Sequence, residues 1–192
     1  MSYLEHIFTD SIYHSMDVKN SELEEKLREE IKETMKKEKM DHKSNVGGYQ
    51  KDIKKNKQLF YDNVKHHFER YLQLLEVENR KLILTNIWFN VNFEHSYNVS
   101  HVHPECHFSG SYYLKVPEDS GVLKFWRNNS FVQMHPELYE LICPVFRTHF
   151  SIEPKKHLLV VFPSYLKHEV LQNRNKEDRI SISFNLNLER ND

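Results

Sequence analysis

The chain has 192 residues, 39% of them hydrophobic and 29% charged, with a net charge of −1 when histidine is neutral. That is length enough for one domain with its own core, and the balanced charge offers no footing for nucleic acid or an acidic membrane surface. No stretch approaches the roughly 20 apolar residues of a membrane span, and the start Met1-Ser2-Tyr3-Leu4-Glu5-His6 lacks the regions of a signal peptide.

Cys106 and Cys143 alone give no disulfide framework, so a reduced, cytoplasmic protein is expected. Histidine occurs 13 times, and it is the commonest ligand of transition metals. Glycine occurs only 4 times, at Gly47, Gly48, Gly110 and Gly121, so each is expected to mark a backbone position that needs it.

The N-terminal third reads helical. Ser21-Glu22-Leu23-Glu24 has the form of a capping box, and Leu23, Leu27, Ile31 and Met35 follow at four-residue spacing. The Lys/Glu run from Glu22 to Lys39 is expected to be a solvated face. A loop follows from Lys43 to Asp52, then an amphipathic helix from about Gln58 to Val77 with Leu59, Val64, Phe68, Tyr71, Leu72 and Leu75 in its stripe.

From residue 82 the period becomes two, the signature of strands. Ile87, Phe89, Val91 and Phe93 share one face, and Trp88, Asn90 and Asn92 share the other, either half exposed or walling a polar cavity. Further strands are expected at Phe108–Val116, Val122–Trp126, His157–Phe162 and Arg179–Leu188, with a hairpin turn at Pro117-Glu118-Asp119-Ser120-Gly121. Residues 127–156 read as an irregular insertion with room for a short helix. Helices first and strands after indicate a β core with helices packed outside it.

The densest chemistry is His101-Val102-His103-Pro104-Glu105-Cys106-His107. Residues two apart on a strand point to the same side, so His101 with His103, or His103 with Glu105, can bind one ion. Taken alone, such pairs are often plain surface residues. A second cluster places His168 after an apolar strand and a Pro-containing turn, and Arg179 follows eleven residues later. An iron(II) oxygenase needs two histidines and usually a carboxylate, with positions left for a bidentate cosubstrate and oxygen. It also needs a buried cation for the cosubstrate's far carboxylate, which an arginine fork supplies.

Three segments together resemble the 2-oxoglutarate/iron(II) oxygenases common in marine bacteria and their phages. They are His-Val-His-Pro-Glu-Cys-His-Phe-Ser-Gly-Ser-Tyr-Tyr-Leu-Lys-Val-Pro at 101–117, Phe-Pro-Ser-Tyr-Leu-x-His-Glu-Val at 162–170, and Arg-Ile-Ser-Ile-Ser-Phe-Asn at 179–185. Ser44-Asn45-Val46-Gly47-Gly48-Tyr49-Gln50 and Trp88-Phe89-Asn90-Val91-Asn92 extend the likeness over roughly 44–188. More broadly the elements are similar, in order, to those of prolyl hydroxylases.

The resemblance implies a mainly β fold with flanking helices. It is a double-stranded β-helix (jelly-roll) in a single domain over 1–192, with an N-terminal helical layer over 1–80 and the jelly-roll core over 81–190. It implies iron(II), 2-oxoglutarate and oxygen as cofactor and cosubstrates. His101 and His168 match the first and distal ligands, while Arg179 and Ser181, with Tyr113 and Asn90, match the cosubstrate site. Where prolyl hydroxylases have Asp, this chain has His103, so the ligand set is His101, His103 and His168, which is preferred, or, with the motif shifted by two, His103, Glu105 and His168.

Trp88, Asn92 and Asn185, with Asn90, are expected to line the substrate pocket. Glu153-Pro154-Lys155-Lys156-His157 stands where relatives carry a Gly-containing turn, and a changed turn without loss of chemistry is expected there. The reaction expected is hydroxylation of a small molecule or protein side chain, in the cytoplasm (the host's, if phage-encoded). Competing readings are a non-catalytic cupin-like metal module and a three-histidine dioxygenase without 2-oxoglutarate. No partner beyond the substrate is implied, and a homodimer stays open.

Overall fold

The computed structural model describes residues 10–41, 43–127 and 148–191. Thirteen elements follow in chain order: β1 (Tyr13–Ser15), α1 (Ser21–Lys37), β2 (Asn45–Val46), β3 (Tyr49–Asp52), α2 (Lys57–Leu74), β4 (Arg80–Asn92), β5 (Tyr97–His101), β6 (Phe108–Lys115), β7 (Leu123–Trp126), β8 (His149–Ile152), β9 (Leu159–Pro163), β10 (Lys167–Val170) and β11 (Arg179–Arg190). The strands form a six-stranded sheet in the order β1-β9-β6-β11-β4-β3 and a five-stranded sheet in the order β2-β5-β10-β7-β8, with antiparallel neighbours throughout. This is the expected mainly β jelly-roll. No described helix is long and apolar enough to cross a membrane.

Alternation along the strands divides the larger sheet into two faces. Ile182, Phe184 and Leu186 of β11, Tyr112 and Leu114 of β6, and Leu159 and Val161 of β9 pack with Leu23, Leu27 and Ile31 of α1 and Phe60, Val64 and Phe68 of α2. The residues between them face the other sheet, where Tyr113, Val160 and Phe162 meet Leu123, Phe125 and Leu166 in a second, smaller core. β4 keeps its apolar residues on the helix side despite a change of parity. Opposite Asn185 and Leu186 the register jumps from Asn86 to Leu84, and the bulge at Thr85 lets Leu82 and Leu84 share a core with Ile87, Phe89 and Val91.

Gly110 of β6 lies directly across from Phe184 of β11. A Cβ there would stand 2.3 Å from Phe184 Cζ and 2.5 Å from the Val160 carbonyl oxygen. Gly110→Ala is therefore expected to cost about 1–3 kcal/mol of stability through overpacking, visible as a lowered midpoint in denaturant.

Several sequence expectations need correction. Asn20, not Ser21, caps α1, its side chain accepting the Leu23 N–H at 3.1 Å. The charged face of α1 is not wholly solvated. Glu30 is buried and its carboxylate accepts the backbone N–H groups of Lys54, Lys55 and Asn56 at 2.6, 2.8 and 3.0 Å, tying α1 to the start of α2. The segment before residue 80 is not purely helical, since β1, β2 and β3 add strands to both sheets, two of them inside the expected loop of Lys43–Asp52.

The Pro117–Gly121 turn joins β6 to β7, which lie in different sheets, so it crosses between layers and closes no hairpin. β8 falls inside the stretch read as irregular, of which residues 128–147, with Cys143, lie outside the described residues. The turn before β9 brings His157 to a φ of 74°, and the ring of His157 is anchored on Glu24 of α1.

Candidate metal and cosubstrate site

His101 ends β5, His103 follows in the loop, and His168 lies on β10, directly across from His101. Sequence alternation would put His101 on the outer face with Tyr97 and Val99, both of which are exposed. The pairing instead matches His168 with His101 but Val170 with Asn98, so a bulge in β5 turns both Asn98 and His101 inward. The result is a cluster in which one ring nitrogen from each of His101, His103 and His168 lies within 4.8 Å of the others.

Two of the rings have a fixed tautomer. Nδ1 of His101 meets the Val99 carbonyl at 2.7 Å, and Nδ1 of His168 meets the Leu166 carbonyl at 2.8 Å, leaving Nε2 of each to face the centre. The ring of His103 stacks on Trp88, with centroids 5.7 Å apart and 23° between the planes. Burial holds all three imidazoles neutral. It lowers the pKa of His101, takes His103 to about 4 with help from the neighbouring His101, and takes His168 to about 3. Neutral imidazoles are the form that ligates a metal.

Glu105, the alternative ligand, lies on an exposed turn outside this cluster. The chain turns after His103, whose N–H bonds the Ser164 carbonyl at 3.0 Å, so the extended run needed to align Glu105 with His103 does not form. Glu105→Ala is expected to leave metal affinity unchanged, as measured by titration with cobalt(II).

Arg179 opens β11, lines the same cavity and is only 1% exposed. Its Nη1 donates to the carbonyls of Ser120 and Gly121 at 2.7 and 2.9 Å, while its buried Nε has no acceptor. No ion pair to Arg179 occurs among the described residues. Burial works against its charge, and nearby Tyr113 favours it. A buried guanidinium without a counter-ion is costly unless an anion completes it.

Tyr113, Ser181 and Asn90 also line the cavity. The amide nitrogen of Asn90 donates to Ser183 Oγ at 3.1 Å. Trp88 lines the cavity, but Asn92 and Asn185 do not. Asn92 is fully buried behind Asn98 and donates to it at 3.2 Å, and Asn98 takes the place on the wall. Asn185 accepts a bond from Ser109 at 2.8 Å and supports His103 from the side.

Lining residues not foreseen include Ser44, Asn98, Ser111 and Ser183. The two-residue step from Arg179 through Ser181 would have found Ser183, whereas the bulge hid Asn98.

Three neutral imidazoles around one point suit a first-row metal ion such as iron(II), and an anion-seeking arginine in the same cavity suits a dicarboxylate. The sequence comparison agrees. The chain belongs to the family described as "Putative 2OG-Fe(II) oxygenase", whose match spans residues 86–185. It is an enzyme of that class, with iron(II) and 2-oxoglutarate as cofactor and cosubstrate. Family membership sets aside the non-catalytic and 2-oxoglutarate-free readings.

Among solved structures the chain is similar to a prolyl-4-hydroxylase of Pseudomonas putida, at 15% identity and TM-score 0.64, with 93% of each chain covered. It is similar to the viral collagen prolyl hydroxylase of Paramecium Bursaria Chlorella virus-1 in its 2-oxoglutarate complex, at 12% identity and TM-score 0.59, covering 91% of this chain and 94% of that one. It is also similar to the alpha-ketoglutarate-dependent carbocyclase SnoK of nogalamycin biosynthesis, at 14% identity and TM-score 0.64, covering 92% and 79%. These likenesses establish the fold. A comparison with curated proteins finds no match.

Proposed function

We propose that the enzyme hydroxylates a small molecule or a protein side chain, with His101, His103 and His168 holding iron(II) and Arg179 holding the far carboxylate of 2-oxoglutarate. The observation that carries this reading is the buried, unpaired Nε of Arg179 in the cavity that also holds the three-histidine cluster. When bound, the metal and its cosubstrate supply the oxidising power, one oxygen atom of O2 going to the substrate and the other to succinate, with release of CO2.

The chain's own part is binding and orientation. The carbonyls of Ser120 and Gly121 fix one edge of the guanidinium and leave the other to receive a carboxylate. Tyr113 and Ser181, cross-strand partners on β6 and β11, stand in the same wall within the cavity. Leu123, Phe162 and Val170 give the cavity its apolar lining. Trp88, at the stack on His103, is assigned to the substrate's approach.

The test is an anaerobic titration of iron(II)-loaded protein with 2-oxoglutarate, followed in the visible range for a metal-to-ligand charge-transfer band. The band is expected to rise to saturation with one equivalent bound. Metal uptake without the band would overturn the assignment of Arg179 and the three histidines to one site.

A further inference from the structure

Of the three candidate ligands, His103 alone lies outside a strand. His101 and His168 are set against each other by the β5–β10 ladder, but His103 sits on the 102–107 loop and depends on whatever fixes that loop. Among the contacts that hold it, one buried residue, Ser164, makes three hydrogen bonds. The carbonyl of Ser164 accepts the His103 N–H at 3.0 Å, its N–H donates to the His107 carbonyl at 3.1 Å, and its Oγ donates to the Cys106 carbonyl. Ser164 thus spends its backbone donor, its backbone acceptor and its hydroxyl on one loop.

The same turn serves a second ligand. Ser164 follows Pro163, the last residue of β9, and the turn closes with the Leu166 N–H on the Pro163 carbonyl at 3.0 Å. The Leu166 carbonyl is the group that Nδ1 of His168 meets. The turn at 163–166 therefore sets the distance between His103 and His168, and Ser164 is the only residue in it whose side chain bonds the His103 loop among the described residues. Ser164 is itself buried, so losing its hydroxyl leaves the Cys106 carbonyl without that donor.

We propose that Ser164 is a positioning residue of the metal centre, its hydroxyl clasping the 103–107 loop to the turn that carries His168 so that the third imidazole meets the other two. The proposal rests on the reading of His101, His103 and His168 as metal ligands. It adds a residue that touches neither metal nor substrate.

The experiment compares cobalt(II) affinity, read from visible d–d absorption, with the melting temperature of the metal-free protein. Wild type, Ser164→Ala, Ser164→Thr and His168→Ala are measured together. Ser164→Ala is expected to bind cobalt(II) about tenfold more weakly, in line with the loss seen when an outer support of a metal ligand is removed. Ser164→Thr, which keeps the hydroxyl, is expected to restore most of that affinity.

If Ser164→Ala does not fold, Ser164→Cys takes its place, since a thiol keeps the volume and is only a weak donor. Wild-type affinity in Ser164→Ala with only a lowered melting temperature would overturn the proposal and leave a merely structural serine. Failure of wild type to bind cobalt(II), or full binding by His168→Ala, would instead overturn the ligand assignment itself.

Discussion

Replacing Arg179 with Met is expected to abolish 2-oxoglutarate binding while leaving the metal-free fold nearly as stable as before. Removing one partner of a buried, hydrogen-bonded charge pair costs about 3–5 kcal/mol, which is more than a hundredfold in affinity. The fold responds differently because two effects oppose each other. The carbonyls of Ser120 and Gly121 lose their donor. Against that, a guanidinium buried without a counter-ion is removed, which relieves a desolvation penalty of similar size.

The net change in melting temperature is expected to stay within about 4 °C, the equivalent of roughly 1 kcal/mol for a chain of this size. Thermal shift with and without 2-oxoglutarate reads both quantities at once. Wild type should be stabilised by the ligand and Arg179→Met should not. Arg179→Lys should fall between, because an ammonium supplies charge without the fork. Intact binding in Arg179→Met would remove the arginine from the site.

The second large effect concerns acid. His103 and His168 carry pKa values of about 4 and about 3, lowered chiefly by burial, and His101 is lowered as well. In the unfolded chain each imidazole titrates near 6.5. Below that pH the unfolded chain takes up protons that the folded site refuses. The stability they contribute is therefore complete above about pH 6.5 and is lost as the pH falls toward 4 and 3. The metal-free protein should melt progressively lower from pH 6.5 to 4. His168→Ala, which also eliminates cobalt(II) binding at micromolar metal, should flatten that slope. An unchanged slope would mean that His168 is not buried neutral.

Between pH 8 and about 5.5 neither His103 nor His168 has a proton to lose to the metal, so these two imidazoles should add no pH dependence to its affinity in that range.

The parts of this molecule that sequence reveals are those whose chemistry is local. Leu23, Leu27 and Ile31 announce α1 by spacing alone, and Arg179-Ile180-Ser181-Ile182-Ser183 announces both a strand and its two faces. The histidines and Arg179 could be chosen because few other residue types do their chemistry. What escapes is set by pairing between distant segments. His101 faces inward only because a bulge opposite β10 reverses the parity of β5, and nothing within Tyr97–His101 records it. The Pro117–Gly121 turn has hairpin residues, yet its two flanking strands choose partners elsewhere, β11 and β9 for β6, and β10 and β8 for β7. Glu30 reads as one more surface charge until α2 begins beside it and supplies three backbone donors. Asn92 and Asn185 have the right chemistry for a pocket wall and lie one layer behind it.

β11 carries both halves of the protein's purpose on one ribbon, with Ile182, Phe184 and Leu186 turned to the helices and Arg179, Ser181 and Ser183 turned to the cavity. For descent with modification this means that the strand tolerates a change of letter far better than a change of length. A conservative exchange at any one position disturbs one face only. Loss of one residue between Arg179 and Leu186 would turn the alternation over, presenting serines to the core and phenylalanine to the cosubstrate, a step with no viable half-way point. Lineages that share this site are thus expected to differ freely in the spelling of β11 while keeping its count, and to place their insertions and deletions in the turns at either end.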